Sequence, residues 1–171
     1  FLQTADHAKP DWVIETKVDA SELSGGYEQA GLLARVDDDN YVKFDILSDD
    51  QQTVLNRIEL RSEVAGAIQN PQPQLTPLPA GNNGTVWLRL SKTGTNYKGE
   101  YSFDGTTFRA LPSTVPNPMS EPDFGLFTLG VNSGGGTAHF DYFEVDGDRG
   151  QASFNDPDPE CAYALELLSL T

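Results

Sequence analysis

Between Tyr27 and Leu47 apolar and polar residues alternate with period two on both sides of an acidic turn. Ala30, Leu32, Ala34 and Val36 fall on one face, and Gln29, Gly31, Leu33 and Arg35 on the other. After Asp37-Asp38-Asp39-Asn40, the residues Val42, Phe44 and Ile46 share a face, with Tyr41, Lys43 and Asp45 opposite. Such alternation flanking a turn predicts an antiparallel hairpin with one buried face, and the Asx side chains suit the turn by bonding their own backbone. Similar patterning predicts strands at Trp12–Val18, Gln29–Val36, Tyr41–Leu47, Val54–Val64, Val86–Lys92, Tyr97–Phe103, Phe108–Ala110, Phe124–Val131 and Ala138–Val145. Turn signals separate them: Ser24-Gly25-Gly26, Asp49-Asp50, Thr93-Gly94, Asp104-Gly105 and Ser133-Gly134-Gly135-Gly136. Helical periodicity is almost absent, so the pattern implies an all-β jelly-roll sandwich of two antiparallel sheets. The expected core is Leu32, Ala34, Phe44, Ile46, Ile58, Leu60, Leu88, Leu90 and Phe140.

Two proline-rich stretches break the pattern. Gln69–Asn83 holds Pro71, Pro73, Pro77 and Pro79, and Leu111–Asp123 holds Pro112, Pro116, Pro118 and Pro122. Proline cannot donate to a ladder, so both are expected to be long surface loops. After Gly147 the composition shifts. Residues 1–147 are expected to form the sandwich and 148–171 a linker or C-terminal extension, with Asn155-Asp156-Pro157-Asp158-Pro159 as the linker. Ala162–Leu170 fits a short helix or a last strand.

Eleven lysines and arginines stand against 26 aspartates and glutamates, a net charge of −15. That argues against nucleic-acid or anionic-membrane partners, which attract a basic stripe. No apolar run reaches the length of a transmembrane helix. Cys161 is the only cysteine, so no internal disulfide forms. Asn83-Gly84-Thr85 matches the glycosylation sequon.

The polar faces carry amides, guanidinium groups, phenols and carboxylates, which suit a polyhydroxylated ligand: planar polar groups chelate hydroxyls and aromatic faces stack on C–H groups. With Ile58 and Leu60 inward, Arg57, Glu59 and Arg61 point out; with Val86, Leu88 and Leu90 inward, Trp87 and Arg89 point out. Tyr97 and Tyr101 also share a face. The expectation is that Gln29, Arg35, Tyr41, Lys43, Asp45, Arg57, Glu59, Arg61, Trp87, Arg89 and Tyr101 line one sheet face and bind ligand. The alternative is a set of cross-strand ion pairs on an exposed sheet, with Trp87 against a neighbouring domain.

Three segments carry a family resemblance. AGLLARVDDDNYVKF, VWLRLSKTGTNYKGEYSFDGTTF and FGLFTLGVNSGGGTAHFDYFEV resemble the concanavalin A-like β-sandwich modules of secreted bacterial carbohydrate-active proteins. The best comparison is the C-terminal module of family 43 β-xylosidases. The likeness covers roughly residues 1–147. It implies a concave ligand-holding face, a secreted protein, one or two strands before Phe1, and an upstream catalytic domain. The implied role is non-catalytic binding of a poly- or oligosaccharide. A structural module without ligand is a further possibility. Many β-sandwich sugar modules hold a structural Ca²⁺ through an aspartate of the last strand, which makes Asp141 the expected metal ligand.

Catalysis is the remaining alternative. Arg57–Glu63 resembles the R-x-E-L-R strand of alginate lyases, also jelly rolls, which points to a polysaccharide lyase or glycoside hydrolase. The companion strands of those lyases are not matched: Tyr27-Glu28-Gln29-Ala30-Gly31 lacks the lysine, and neither His7 nor His139 follows Gln-x. Glu59 and Glu63 on one strand face would stand about 13 Å apart, beyond the roughly 5 to 9.5 Å of paired glycosidase carboxylates.

Overall fold

The computed structural model describes residues 2–3, 9–23, 26–48, 57–71, 74–130, 136–147 and 163–166. The turns at Ser24-Gly25 and Asp49-Asp50, Ser133–Gly135, the start of the Val54 strand, His7, the 155–159 linker and Cys161 lie outside them. Among the described residues fourteen strands form: β1 (Leu2–Gln3), β2 (Trp12–Asp19), β3 (Gln29–Asp37), β4 (Asn40–Leu47), β5 (Arg57–Val64), β6 (Ala67–Ile68), β7 (Gln74–Pro77), β8 (Thr85–Thr93), β9 (Asn96–Ser102), β10 (Arg109–Ala110), β11 (Val115–Pro116), β12 (Asp123–Leu129), β13 (Thr137–Val145) and β14 (Tyr163–Glu166). They make two seven-stranded antiparallel sheets. The first runs β1-β12-β3-β4-β5-β6 with β7 also on β5, and the second runs β10-β9-β8-β2-β13-β14 with β11 also on β9.

The alternation read from the sequence sets the core. Ala30, Leu32, Ala34, Val42, Phe44, Ile46, Ile58 and Leu60 face inward from the first sheet, and Ile14, Val18, Val86, Leu88, Leu90 and Phe140 from the second; all are fully buried. Val36 is an exception at 56% exposure, because the β3–β4 register shifts between Arg35 and Asp37 and an irregular pair loses strict alternation.

Both proline-rich loops contain strands that the sequence reading did not foresee. Gln74–Pro77 is short and pairs with β5, an edge position that tolerates proline. Val115–Pro116 pairs with β9 in the second sheet, and the adjacent Asn117 reaches the first. Fully buried, Asn117 donates to the carbonyls of Tyr41 and Glu63 and to Ser62 Oγ at 2.9 to 3.2 Å. Its own oxygen accepts from Met119 N–H at 3.1 Å. One amide thus ties the two sheets together at this end of the sandwich.

Candidate functional site

The outer face of the first sheet is laid out by register. Gln29 stands opposite Leu47 and Leu47 opposite Arg57; Gly31, Asp45 and Glu59 form the next row, then Leu33, Lys43 and Arg61, then Arg35, Tyr41 and Glu63. Strand β12 extends these rows with Leu129, Phe127, Gly125 and Asp123, and β7 adds Pro77 and Leu75. Eight of the eleven expected ligand residues are therefore on one face: Gln29, Arg35, Tyr41, Lys43, Asp45, Arg57, Glu59 and Arg61.

Trp87 and Arg89 are not among them. They belong to β8, in the second sheet, so the shared face expected for Trp87, Arg89, Glu59 and Arg61 is corrected. Period-two patterning tells which residues share a strand face and not which sheet the strand joins. Arg89 instead pairs with Glu15 at 2.6 Å and stacks on the Phe108 ring at 3.7 Å. Trp87 has the Lys17 ammonium 5.3 Å from its ring centroid and the Asp104-Gly105 turn packed against it. Tyr101 is also corrected. It stands opposite Leu88 and is buried with Tyr97 in the core. Asp141 sits where the β13 register shifts and forms an ion pair with Lys17. No three His, Cys, Asp or Glu side chains stand together as a metal set among the described residues.

The centre of the first-sheet face is an ion network, and it is buried rather than exposed. Lys43 donates to Gln29 Oε1 at 2.5 Å and to Asp45 Oδ2 at 2.8 Å, and pairs with Glu59 Oε1 at 2.7 Å. Arg61 Nε lies 3.0 Å from the same Glu59 oxygen. Tyr41 donates its phenol proton to Glu63 at 2.5 Å. Burial, then the Glu63 carboxylate, hold that phenol above its usual range. Asp45 is fully buried, and desolvation pushes its carboxyl up to about 6 against the opposing pull of Lys43. Gly31 makes room for it. A Cβ there would fall 2.3 Å from Phe44 O and 2.6 Å from Asp45 Cα.

A cleft of about 290 Å³ opens on this network, lined by Tyr27, Gln29, Leu47, Arg57, Glu59, Arg61 and Leu75. Tyr27 and Leu75 are both more than 40% exposed, so apolar edges border a polar floor. Among the described residues four buried side-chain polar atoms lack a hydrogen-bond partner: Asp45 Oδ1, Glu59 Oε1, Arg61 Nε and Tyr97 OH. Three of the four are in this network. Buried polar groups are nearly always matched, so their concentration under one cleft marks it. Glu59 Oε1 nonetheless has the Lys43 ammonium at 2.7 Å and Arg61 Nε at 3.0 Å, so both side chains are held in ion pairs rather than in directed hydrogen bonds. A hydroxyl, which both donates and accepts, can approach such a pair from the cleft.

The second sheet has a larger cleft, about 520 Å³, bordered by Val13, Glu15, Arg89, Ser91, Glu100 and Glu144. Several of its polar groups are matched: Glu100 pairs with Lys98 at 2.8 Å and Asp146 accepts from Val13 N–H at 2.9 Å. Glu15 takes Arg89 on one oxygen and the Tyr142 hydroxyl, at 2.6 Å, on the other.

Comparison with known proteins agrees with this architecture. The model of the β-xylosidase C-terminal concanavalin A-like domain matches residues 7–146. The chain belongs to that family. Solved structures with the same fold include xylan β-1,4-xylosidase from Bacillus halodurans C-125, at 15% identity and a TM-score of 0.67 over 81% of this chain and 28% of that one. A functionally unknown protein from Saccharomyces cerevisiae gives 19% identity and a TM-score of 0.62 over 85% of this chain and 71% of that one. The carbohydrate-binding module CBM66 from Bacillus subtilis gives 15% identity and a TM-score of 0.54 over 81% and 76%. No curated protein sequence matches the chain. The concanavalin A-like module thus spans under a third of the xylosidase.

Sequence reasoning missed Tyr27, Leu47 and Leu75 as cleft residues. Tyr27 has a left-handed backbone, φ 61°, in the turn before β3. Leu47 reads as the end of a core strand, and Leu75 lies in a proline-rich loop. None of the three stands out by pattern.

Proposed function

We propose that this chain is a non-catalytic carbohydrate-binding module of a larger secreted polysaccharide-degrading protein, and that the first-sheet cleft holds the sugar. The carrying observation is a cleft edged by Tyr27 and Leu75 and lined by Glu59 and Arg61, which the buried Lys43 network holds in place. Membership of a family named for β-xylosidase C-terminal domains supports an accessory role. So does the fold shared with a carbohydrate-binding module. A poly- or oligosaccharide is the partner, and a catalytic domain lies elsewhere in the same protein.

One feature invites a hydrolase reading. Asp45 and Glu59 each lie within 2.8 Å of the Lys43 nitrogen, so they are about as close as the 5 Å pair of a retaining glycosidase. Yet Asp45 is fully buried and Lys43 stands between the carboxyls. A general acid must come within hydrogen-bond reach of its substrate, and Asp45 does not border the cleft. The arrangement favours binding over bond cleavage.

Glycan-array screening of the wild type, followed by titration of the best ligand, tests this reading. Glu59→Gln and Arg61→Ala should each weaken binding about tenfold or more, the loss of one charge-assisted hydrogen bond of about 1.5 to 3 kcal/mol. Trp87→Ala should leave it unchanged. Binding abolished by Trp87→Ala and insensitive to Glu59→Gln would move the site to the other sheet. Absence of binding to any glycan would leave a packing role.

A further inference from the structure

We propose that Asn83 is a site of spontaneous deamidation in the folded protein, and that Asn82 sets its pace. The inference is independent of the sugar-binding reading and concerns the turn that leads into β8.

An asparagine deamidates when the backbone nitrogen of the next residue attacks its Cγ. A side chain on that next residue hinders the approach, and proline has no N–H to lose. Asn83 is the only asparagine of the chain followed by glycine. Asn70 and Asn117 precede proline, and Asn40, Asn82 and Asn96 precede residues with side chains. Glycine at 84 is required by the fold. Its φ is 96°, and a Cβ there would lie 2.9 Å from Ser21 N and 3.0 Å from Ser21 Cα. The close approach of the chain just after β2 therefore keeps the labile pair in the sequence.

The turn places the groups of the reaction. Asn83 is exposed, and among the described residues its Nδ2 makes no hydrogen bond, so the departing nitrogen meets water. Thr85 N–H donates to Asn83 Oδ1 at 3.4 Å. That donor faces the oxygen on which negative charge builds as Cγ becomes tetrahedral. The attacking atom, Gly84 N, is held by Asn82. Its N–H donates to Asn82 Oδ1 at 2.8 Å, while Asn82 Nδ2 donates to the Thr85 carbonyl at 3.1 Å. Attack requires Gly84 to leave that bond and lose its proton, so Asn82 acts as a positioning residue that slows the reaction.

Water balances the step. Gly84 N gives its proton to hydroxide and bonds to Asn83 Cγ. The Cγ–Nδ2 bond breaks, and the nitrogen departs as ammonia with a proton from solvent. Water then opens the cyclic imide at either carbonyl, leaving aspartate or isoaspartate. Isoaspartate routes the chain through the side-chain carbon and adds one backbone atom ahead of Gly84. Gly84 O accepts from Ala20 N–H at 3.1 Å, and Thr85 stands opposite Asp19. The added atom falls where β8 first meets β2.

The test is incubation of the folded full chain at pH 8.5, followed by digestion at mildly acidic pH, peptide mass mapping and enzymatic methylation of isoaspartate. The wild type should convert at Asn83 before Asn40, Asn70, Asn82, Asn96 or Asn117, and faster at pH 9 than at pH 7. The folded chain should convert more slowly than the same chain in urea by about threefold or more, the effect of one neutral hydrogen bond. Asn82→Ala, kept folded, should remove most of that difference. Asn82→Asp keeps an oxygen for Gly84 N–H and should be no faster than the wild type; it serves with the urea comparison if Asn82→Ala does not fold. Asn83 intact in the folded chain when the chain in urea has converted overturns the site. Equal rates for the folded wild type and folded Asn82→Ala, equal rates folded and in urea, or a faster Asn82→Asp, overturn the role of Asn82.

Discussion

Tyr97 offers the sharpest test of the packing. Its side chain is fully buried, its ring edge-on to Trp12 at 5.9 Å and 73°, and its hydroxyl has no hydrogen-bond partner. Burying a hydroxyl without a partner costs about 1 to 3 kcal/mol by mutational data. Tyr97→Phe removes that oxygen and keeps the ring, so the aromatic contact survives. The void left is smaller than a methyl group and returns at most about 1 kcal/mol. The net expectation is a gain of about 0.5 to 2 kcal/mol, and each kcal/mol raises Tm by about 2 to 4 °C for a domain of this size. Urea unfolding at pH 7 measures it: the midpoint should rise with the slope unchanged. Burial holds the phenol proton on, so titration of this group does not intrude near neutral pH. A loss above about 1 kcal/mol would refute the reasoning, by showing that the hydroxyl is bonded in the folded protein.

Three further outcomes can be measured. Because desolvation raises the Asp45 carboxyl from its ordinary 3.8 to about 6, the folded state holds a proton there that the unfolded chain has released. The stability from neutral Asp45 is present below the ordinary value and lost as pH rises through about 6. Denaturation between pH 4 and 7 should therefore show wild type losing stability relative to Asp45→Asn, by about 1 to 3 kcal/mol; a parallel profile would contradict the shift. Gly31→Ala drives a Cβ into Phe44 O and Asp45 Cα and should destabilise by about 1 to 3 kcal/mol or more, read by chemical denaturation; a neutral effect would show that the strands can part there. We further propose a Ca²⁺ at Asp141, which would have to displace the Lys17 ammonium that now pairs with it; added Ca²⁺ should raise the Tm of wild type and not of Asp141→Ala, and identical curves with chelator and with Ca²⁺ would remove the ion.

Much of the fold is legible in the sequence because one physical rule sets it. Period-two alternation put Leu32, Phe44, Ile58 and Leu88 inward and Gln29, Lys43, Glu59 and Arg61 outward, and the structure keeps each on that face. The rule stops at strand pairing. It cannot say that β8 joins β2 and β9 rather than β5, and so it set Trp87 and Arg89 beside Glu59. Tyr101 shows a second limit. Tyrosine suits a wet face or a core, and only its register with Leu88 decides. A third limit is burial on an outward face. Nothing in the alternation of Lys43 and Asp45 reveals that both are shielded from water, because alternation fixes the face a side chain takes and not what packs around it. The cross-strand ion pairing weighed as an alternative for Lys43, Asp45, Glu59, Arg61 and Arg89 is present, with Arg89 paired on the second sheet, and Glu59 and Arg61 reach the cleft.

The central claim is that the cleft over Glu59 and Arg61 holds a sugar. Backbone amide chemical-shift mapping on the isotope-labelled chain, with the oligosaccharide selected by array screening, tests it most directly. The account predicts saturable shifts at Tyr27, Gln29, Leu47, Arg57, Glu59, Arg61 and Leu75, the residues that line the cleft, with the amides of Trp87 and Arg89 undisturbed. Saturable shifts centred on Trp87, Arg89 and Glu15, or no saturable shift with any glycan tried, would contradict it.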